Sequence, residues 1–330
     1  MIFSLLTSGI GFFILQKITS YHGLLIAIFF IMVIADMFRP AMFVSLGAYA
    51  KPENRTRALT LVRLAINLGF AAGPALGGLL IMSVGYKGLF WVDGATCILA
   101  ILIFWIKVKE KKKSAYTDKE HPGEVLTHSV FKDGPFWIFL MICLISGIMF
   151  FQLFTTIPLY HKEQFNLSEL QTGLLLTFNG VLVFFVEMPL VSYIERNKIN
   201  KLRAINLGGL LMTISMFLLL INNWVGILIV MMLFMTFAEM FAFPFSNSFA
   251  MSRAPKGHEG RYMAIFTMTY SMAHILSAKS GMTIIDHFGY QANWLFMGTL
   301  GFISVLLGLW VIKLVNKKPI ETIKTKNLVK

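Results

Sequence analysis

Ionisable side chains stand inside long apolar runs of this sequence. The clearest is Glu239, which lies in the middle of one such run, five residues before Pro244. An ionisable group in hydrocarbon costs at least about 2.5 kcal/mol on insertion scales, so it faces the protein interior, finds a partner or lines a water-filled route. We therefore expect Glu239 to be either a carboxyl group that takes up and releases protons or a neutral acid that is hydrogen-bonded within a helix interface.

A second group of polar residues lies near the start of the chain. Asp36 and Arg39 are three residues apart, which makes them neighbours on one helical face. Arg63 lies at a similar depth in the next apolar run, and Asn67 follows it by one helical turn. We expect these four residues to form one of two arrangements. One is a charge relay whose ion pairs break and reform during a functional cycle, and the other is a structural ion pair with a hydrogen-bonding neighbour.

Two further candidates lie in the second half of the chain. Glu187 precedes Pro189 in the inner part of its apolar run. It predicts either proton or substrate traffic or a contact that stabilises a closed gate. His274 is of a residue type that often handles protons, although a lone buried histidine is more often simply hydrogen-bonded. Both residues therefore keep a functional and a structural interpretation.

The residue types that would define an enzyme or a metal centre are scattered. The seven histidines show no metal-ligand spacing, and the two cysteines, Cys97 and Cys143, are isolated from each other. The sequence also contains no nucleotide-binding loop. We therefore expect no enzymatic activity, no cofactor, no metal site and no ATP-driven pumping.

The elements that carry these side chains are predicted to be membrane-spanning helices of an all-α multi-pass membrane protein. Of 330 residues, 57% are hydrophobic and 14% charged, and the mean hydropathy is +0.72. Soluble domains carry about 25% charged residues, whereas a helix that crosses a bilayer needs about 20 consecutive apolar residues. The runs are continuous, which favours helices over a barrel. Ten spans are predicted, at about 2–16, 23–47, 58–83, 89–106, 135–158, 170–193, 203–221, 224–250, 261–285 and 292–314.

The net charge of +13 follows the predicted membrane topology. Most Lys and Arg residues fall in alternate loops, and positive loops mark the cytoplasmic side of a membrane. We therefore expect both termini in the cytoplasm, a bacterial inner (plasma) membrane location and contact with the lipid bilayer. Nucleic-acid binding would need a basic face on a soluble domain, and no segment is available to form one. We expect a monomer without a nucleic-acid partner.

The polar segment 107–134 divides the predicted spans into four and six. It predicts a cytoplasmic basic linker between an incomplete N-terminal helical bundle at 1–106 and a C-terminal six-helix bundle at 135–315, with a cytoplasmic tail at 316–330. A shift of 204 residues superposes Gly85 on Gly289 and Gly94 on Gly298, which indicates an internal repeat. By the same shift the first half would lack about 70 residues, so we expect ten helices of a twelve-helix parent.

A glycine-rich run at 67–80, NLGFAAGPALGGLL, carries the most specific pattern. Gly69, Gly73 and Gly77 recur every four residues and fall on one helical face, which lets another backbone approach closely. Pro74 removes one backbone hydrogen bond and can bend the helix, and Gly78 completes the run. A phosphate-binding loop would end in Gly-Lys-Ser/Thr, so this run predicts either helix packing or a specialised bend.

The order GxxxGPxxGG resembles the antiporter signature of the Major Facilitator Superfamily, a family of secondary transporters, and chiefly that of its drug:proton exporters. RPA at 39–41, EMxxxP at 239–244 and APxxxEGRYM at 254–263 are similar to further segments of this group. Glu195 and Arg196 resemble the remainder of a second-half gate motif, without its glycines. The resemblance covers essentially the whole chain.

This resemblance implies a two-bundle fold and secondary active transport by alternating access. It implies a proton-coupled antiporter that exports hydrophobic or cationic small molecules, with Glu239 taking the coupling proton or a cationic substrate. The glycine strip would then be a bearing surface between the halves. Two alternatives stay open: a proton-coupled importer of a peptide or sugar on the same fold, and a truncated membrane protein that does not transport.

Overall fold

The structure is a computed structural model that describes residues 1–38, 42, 55–107, 130–221, 224–254 and 259–317. Over these residues the chain is helical, which confirms the predicted all-α class. The helices are α1 (Ile2–Leu15), α2 (Tyr21–Asp36), α3 (Arg55–Val84), α4 (Tyr86–Lys107), α5 (Gly134–Phe151), α6 (Thr156–Phe165), α7 (Glu169–Arg196), α8 (Lys201–Leu218), α9 (Gly226–Arg253) and α10 (Glu259–Lys317).

Polar side chains fix where several of these apolar helices begin. The Ser20 hydroxyl accepts from the Gly23 N–H at 3.4 Å, the Asp133 carboxylate from the Phe136 N–H at 3.2 Å, and the Asn200 side chain from the Leu202 N–H at 2.9 Å. The first N–H groups of a helix have no partner within the helix, so each cap satisfies one of them. The helix starts are therefore encoded locally.

Six described helical segments are long and apolar enough to cross a membrane. Shorter apolar helices at Ile2–Leu15, Tyr21–Asp36 and Leu68–Val84 coincide with three more of the predicted spans. The longest segment, Gly260–Val315, covers two predicted spans, and the backbone leaves the helical region between them at Gly289, where φ is 81° and ψ is 175°. A positive φ of this size favours glycine.

The predicted span 135–158 is broken in the structure. Helix α5 ends at Phe151, a 3₁₀ turn covers Gln152–Phe154, and α6 starts at Thr156. Thr155 between them has φ −120° and ψ −78°, and its hydroxyl donates to the carbonyl oxygen of Phe151 at 3.1 Å. Pro158 lies in the first turn of α6, where its missing N–H leaves no hydrogen bond unmade. Hydropathy alone could not reveal this break, because the whole segment is apolar.

The described residues form two compact units. The first contains the described part of Met1–His121 together with Ser168–Gly180, and the second contains the described parts of Pro122–Leu167 and Val181–Lys330. Helix α7 therefore begins in the first unit and ends in the second. The predicted division at 107–134 stays a prediction, because most of that segment lies outside the described residues.

Within the first unit, α1 packs against α2 and α4. The Ser4 hydroxyl donates to the carbonyl oxygen of Ile34 at 2.7 Å, which ties α1 to the last part of α2. A Cβ on Gly94 of α4 would lie 2.8 Å from the ring of Phe13, so the approach of α1 to α4 requires glycine there. Small residues of this kind are how helices pack closely in a membrane.

The second unit has a core of aromatic side chains from α5, α9 and α10. The rings of Phe136 and Tyr262 have centroids 4.5 Å apart, and those of Phe139 and Phe249 are 4.7 Å apart. These four side chains are buried. Because lipid is as apolar as these rings, their close packing rather than their removal from water holds the helices together.

Candidate functional site

Glu239 lies in the middle of α9, inside the second unit, with 9% of its surface exposed. Phe243 is one turn further along and shares its helical face. The Phe243 ring lies 4.7 Å from the ring of Phe150 in α5 and 5.6 Å from that of Tyr270 in α10. The acid therefore stands on the α9 face that carries an aromatic contact with two neighbouring helices.

His274 extends this aromatic group along α10. Its imidazole lies edge-on to the ring of Phe151, with centroids 4.6 Å apart, and the residue is exposed. The structural interpretation of a buried, hydrogen-bonded histidine therefore does not hold. One turn earlier on α10, the Tyr270 hydroxyl is hydrogen-bonded to the Cys143 thiol and the Ser246 hydroxyl.

Side chains of the types that can attract a cation or a proton lie on α9 and α10. They are a carboxyl group, a phenol and an imidazole, and phenylalanine rings pack against the phenol and the imidazole. Aromatic faces attract organic cations, and a carboxylate attracts a cation or a proton. We name Glu239, Phe243, Tyr270, His274 and Phe150 the acid–aromatic group.

The glycine–proline run of α3 contacts the first turns of α7 within the first unit. A Cβ on Gly78 would lie 2.8 Å from the carbonyl oxygen of Glu169 and 2.9 Å from the Cα of Leu170. A Cβ on Gly173 would overlap the carbonyl oxygen of Pro74. Each helix therefore supplies a glycine that admits the backbone of the other.

A hydrogen bond accompanies this close approach. The N–H of Ala75 donates to the hydroxyl of Thr177 at 3.1 Å. Pro74 has no N–H and disturbs the regular pairing of the helix around it. Thr177 therefore gives the backbone next to the proline a partner on the other helix. Sequence reasoning missed Gly173 and Thr177, although their four-residue spacing in α7 complements the run in α3.

The contact uses a different face from the one that the glycine spacing indicated. A Cβ on Gly69 or on Gly73 meets no described atom within 4 Å, and one on Gly77 would lie 3.9 Å from the Leu89 side chain. The four-residue spacing shows which residues share a face but not which face meets a neighbour. In the described part of the chain, Pro74 and Gly78 make the contact.

A buried polar network lies at the break between α5 and α6, and sequence reasoning missed it too. The Gln152 amide nitrogen donates to the Ser277 hydroxyl at 2.9 Å and to its carbonyl oxygen at 3.0 Å. The hydroxyl of Thr156 and the amide of Asn293 donate to Gln152 Oε1. Ser277 in turn donates to the carbonyl oxygen of Ile148 at 2.8 Å. The signal in the sequence was a glutamine inside an otherwise apolar span.

An ion pair joins the start of α5 to the end of α9. Arg253 donates two hydrogen bonds to the Asp133 carboxylate, at 2.8 and 2.9 Å, and the Tyr262 hydroxyl donates a third at 3.2 Å. The two charged side chains are 12% and 8% exposed. A paired, two-pronged geometry of this kind is strong and directional. It fixes three helices of the second unit to one another.

The polar group predicted near the start of the chain is only partly described. Asp36 is the last residue of α2 and is exposed. Arg39 and the side chains of Arg63 and Asn67 lie outside the described residues. The proposed relay among these four residues therefore stays a prediction.

The remaining predicted residues lie on α7. Glu187 is buried, with 7% of its surface exposed, two residues before Pro189. Glu195 and Arg196 occupy the last turn of the helix and are exposed. Their roles in traffic or gating stay predictions.

His161 of α6 is an unexpected buried titratable group outside the spanning segments. The residue is fully buried, and neither ring nitrogen has a hydrogen-bond partner. Burial lowers the pKa of His161 to about 4, because the charged imidazolium is poorly solvated there. The side chain is therefore neutral at neutral pH.

Clusters of metal-binding side chains are not found in the part of the chain that the structure describes. Within it, no three His, Cys, Asp or Glu residues come together as a metal site would require.

The described helices of spanning length and apolar composition are those of a multi-pass membrane protein. The sequence model of the Major Facilitator Superfamily matches residues 1–278. The chain belongs to this family. It is therefore a membrane transporter of small molecules and not an enzyme.

Two curated relatives show what the chain is similar to. It is 22% identical over 314 residues to the Na⁺, Li⁺, K⁺/H⁺ antiporter of Planococcus maritimus. This alignment covers 87% of this chain and 73% of that protein. It is 26% identical over 271 residues to the uncharacterized MFS-type transporter YttB of Bacillus subtilis (strain 168), covering 81% of this chain and 66% of that one. The chain thus spans about two thirds to three quarters of these relatives.

Solved structures agree on the fold. A POT family transporter in complex with a thioalcohol-conjugated peptide aligns with a TM-score of 0.75 at 15% identity, over 96% of this chain and 81% of that one. A bacterial homologue of the human lysosomal transporter Spinster aligns with a TM-score of 0.73 at 12% identity, over 96% and 83% of the two chains. At these identities the likeness shows the fold alone.

Proposed function

We propose that this chain is a proton-coupled antiporter that exports cationic or hydrophobic small molecules by alternating access. The observation that carries the proposal is Glu239, a carboxyl group buried in the middle of a spanning helix, one turn from Phe243, whose ring packs against Phe150. Ionisable groups within membrane-spanning segments are rare because burying them is costly, and they mark ion pathways and proton relays.

Competition between a proton and a cation for the Glu239 carboxylate would couple the proton flux to the export of the cation. When Glu239 is ionised, it attracts a cation, and the faces of Phe150, Phe243 and Tyr270 add cation–π attraction. When Glu239 is protonated, the electrostatic part of that attraction is lost and the cation leaves. A proton and a cation therefore exclude each other at this position, which is the requirement for exchange. His274 and Glu187 are candidates for the route by which the proton reaches it.

The contact between α3 and α7 supports a moving role for the glycine–proline run. Gly78 and Gly173 let two backbones touch, so one helix can slide past the other without side chains in the way. The Ala75–Thr177 hydrogen bond would mark one position of that movement. Glu195 and Arg196, exposed at the end of α7, are proposed as gate residues.

A second candidate is exchange of monovalent metal cations for protons. The similarity to the Na⁺, Li⁺, K⁺/H⁺ antiporter of Planococcus maritimus supports it. For either candidate we propose a monomer in a bacterial inner membrane with both termini in the cytoplasm, since the basic residues fall in alternate loops.

The test uses proteoliposomes loaded to be acidic inside, with acridine orange reporting the pH difference. Addition of tetraphenylphosphonium, ethidium, NaCl, LiCl or KCl to the outside should restore fluorescence if the protein exchanges that cation for protons. Glu239→Gln should reduce the signal to the level of protein-free liposomes. Glu163→Gln is the matched control, because Glu163 is an exposed acid on α6 that pairs with Tyr290.

Two outcomes would overturn the proposal. One is that no cation changes the fluorescence although the protein is folded and inserted. The other is that Glu239→Gln exchanges as fast as the wild type. An importer would instead accumulate labelled peptide or sugar in proteoliposomes with an acidic exterior, and would show no cation-induced proton loss.

A further inference from the structure

Lys279 is a charged residue inside a membrane-spanning helix. It lies in the part of α10 that precedes Gly289, within the apolar segment Gly260–Val315. The residue is exposed, and it forms no ion pair or hydrogen bond with any residue that the structure describes. An unpaired ammonium group in hydrocarbon is costly, so such a group faces a water-filled route or meets a ligand.

The packed face of this helix lies on the side opposite to Lys279. Tyr270 contacts the ring of Phe243 in α9, and Ser277 donates to the carbonyl oxygen of Ile148 in α5 at 2.8 Å. With 3.6 residues per turn, Lys279 is rotated by about half a turn from both Tyr270 and Ser277. The lysine therefore points away from the core of the second unit.

The side of α10 that carries Lys279 is polar towards Gly289. Lys279, Thr283 and Asp286 follow one another at spacings of four and three residues, so they share one helical face, and all three are exposed. One turn before Lys279, Ile275 lies on the same face and is 67% exposed. A face that meets lipid would be apolar along its length, so the polar part of this face indicates contact with water.

The part of α10 after Gly289 shows what a lipid-facing surface looks like in this chain. Between residues 302 and 310 its exposed side chains are Phe302, Ile303, Leu306, Leu309 and Trp310. All of them are apolar. The two parts of α10 therefore differ in the chemistry of their unpacked faces.

The geometry of the helix disfavours contact between the Lys279 ammonium group and the membrane surface. The nearer end of this part of the helix is at Gly289, and Asp286 already lies about 10 Å further along the axis than Lys279. A lysine near a helix end can extend its charged group to the interface. However, the Cα–Cβ bond of a helical residue tilts towards the N-terminus, which directs Lys279 away from its nearer end.

We infer that the face of α10 with Lys279, Thr283 and Asp286 lines a water-filled route, and that Lys279 attracts an anionic group of the transported solute, a carboxylate or a sulfonate. An ammonium group is a compact cation with three donors, which suits charge-assisted hydrogen bonds to such a group. The solute would then carry an anionic group in addition to its cationic or apolar part. This statement about the solute rests on the proposed function, whereas the water-filled face does not.

The first test measures whether water reaches this face. Trimethylammonium-ethyl methanethiosulfonate (MTSET) and sulfonatoethyl methanethiosulfonate (MTSES) are thiol reagents of opposite charge that do not cross lipid. They are placed on both sides of proteoliposomes, and intact mass counts labels above the wild type, whose cysteines are Cys97 and Cys143. Because the thiolate is the reactive form and hydrocarbon prevents ionisation, Lys279→Cys should react at least about ten times faster than Ile303→Cys.

The second test measures the charge preference of the route. Ile275 is four residues before Lys279, so Ile275→Cys reports the electrostatic potential beside the ammonium group. Replacement of Lys279 by Gln in the Ile275→Cys chain should lower the ratio of the MTSES rate to the MTSET rate by about three- to tenfold. Lys279→Arg in the same chain should keep the ratio, because the positive charge is retained.

The inference is overturned if Lys279→Cys reacts no faster than Ile303→Cys, which would place this face against lipid. It is also overturned if the rate ratio at Ile275→Cys is the same with Lys279→Gln, which would leave the lysine without an effect on anions. Failure of the exchange assay with both labelling results intact would overturn the proposed function alone. Exchange without labelling of Lys279→Cys would overturn this inference alone.

Discussion

Helices α1 and α4 in the first unit make the same contacts as α8 and the part of α10 after Gly289 in the second. In the first unit, the ring of Phe13 fills the space beside Gly94. In the second, 204 positions later, the ring of Phe217 fills the space beside Gly298. The two glycines were aligned by the repeat in the sequence, and the two phenylalanines follow the same shift.

The neighbouring contacts repeat as well. Ser4 of α1 donates to the carbonyl oxygen of Ile34, and at the shifted positions Gly208 of α8 approaches the carbonyl oxygen of Ala238, 2.7 Å from its Cβ position. Gly85 and Gly289, also aligned by the sequence, have φ of 78° and 81°. The two halves therefore share backbone geometry down to single contacts, and this supports the predicted internal repeat.

Their polar chemistry differs. The shift places Ala35 opposite Glu239 and Met240 opposite Asp36. Ser277, the counterpart of Gly73, donates to the carbonyl oxygen of Ile148, whereas a Cβ on Gly73 meets no described atom within 4 Å. The repeat thus preserves the contacts that shape the helices, while each half carries its own functional groups. The predictions below test this separation.

The largest effect is expected at Gly78, because the shifted position in the second half, Met282, is not a glycine. Gly78→Ala places a methyl group against the backbone of Glu169 and Leu170, which cannot rotate away. We expect a loss of about 3 kcal/mol of stability and of exchange activity, because overpacking against backbone forces the helices apart. Tm in detergent and the acridine orange assay measure the two effects.

Gly73→Ala is the control for Gly78→Ala, because its added methyl group would meet no described atom within 4 Å. It should change stability by less than about 0.5 kcal/mol. Equal behaviour of the two alanine variants would contradict the claim that the contact lies at Gly78 rather than along the predicted strip.

The next largest effect is expected on the pH dependence of stability. It comes from His161 of α6, which takes no part in the contacts that the two halves share. His161 has an unfolded pKa near 6.5 and a folded pKa of about 4, so between these values the unfolded state binds more protons. Stability should be full above pH 6.5 and should fall by at most about 3 kcal/mol as the pH drops towards 4. Tm measured across this range should show the fall.

His161→Phe should flatten this dependence, since the remaining side chain carries no proton. His287→Phe should preserve it, because His287 is an exposed histidine on α10. An unchanged pH profile in His161→Phe would mean that other groups cause the acid sensitivity.

The shared contacts themselves should show matched, intermediate effects. Gly94→Ala and Gly298→Ala each insert a methyl group against a phenylalanine ring, and each should lower stability by about 1–3 kcal/mol. Truncation of the ring should relieve the strain, so Gly298→Ala combined with Phe217→Leu should be less destabilised than the sum of the two changes. The Tm values of Gly298→Ala, Phe217→Leu and their double variant measure the coupling between these two positions, and the Tm of Gly94→Ala gives the first-half counterpart. Strict additivity of Gly298→Ala and Phe217→Leu would break the comparison, and so would a clear difference in the cost of Gly94→Ala and Gly298→Ala.

The smallest effect is expected at Thr177. Thr177→Val keeps the shape of the side chain and removes its hydrogen bond to the Ala75 N–H. The expected cost is about 1 kcal/mol, with a larger effect on the exchange rate than on Tm if the bond marks one transport state. Thr267→Val is the control, because its hydroxyl bonds only within its own helix. Equal exchange rates in the two variants would remove Thr177 from the moving contact.

Local signals in the sequence were enough for the helices. The apolar runs are each read within a few residues, and the structure has helices over them, with a break inside the predicted span 135–158. The break at Gln152 could not be found this way, because its partner Ser277 lies 125 residues away. The face used by the glycine run was missed for the same reason, since Gly173 belongs to another helix.

The sequence by itself determined that this chain is an all-helical membrane protein with an internal repeat and the family signature of a transporter. Hydropathy and glycine spacing act over one or two helical turns, so they can be read without the fold. Only the tertiary structure decided which polar groups meet: Arg253 with Asp133, and Gln152 with Ser277 and Asn293. Those contacts join residues that are neighbours only after the helices have packed.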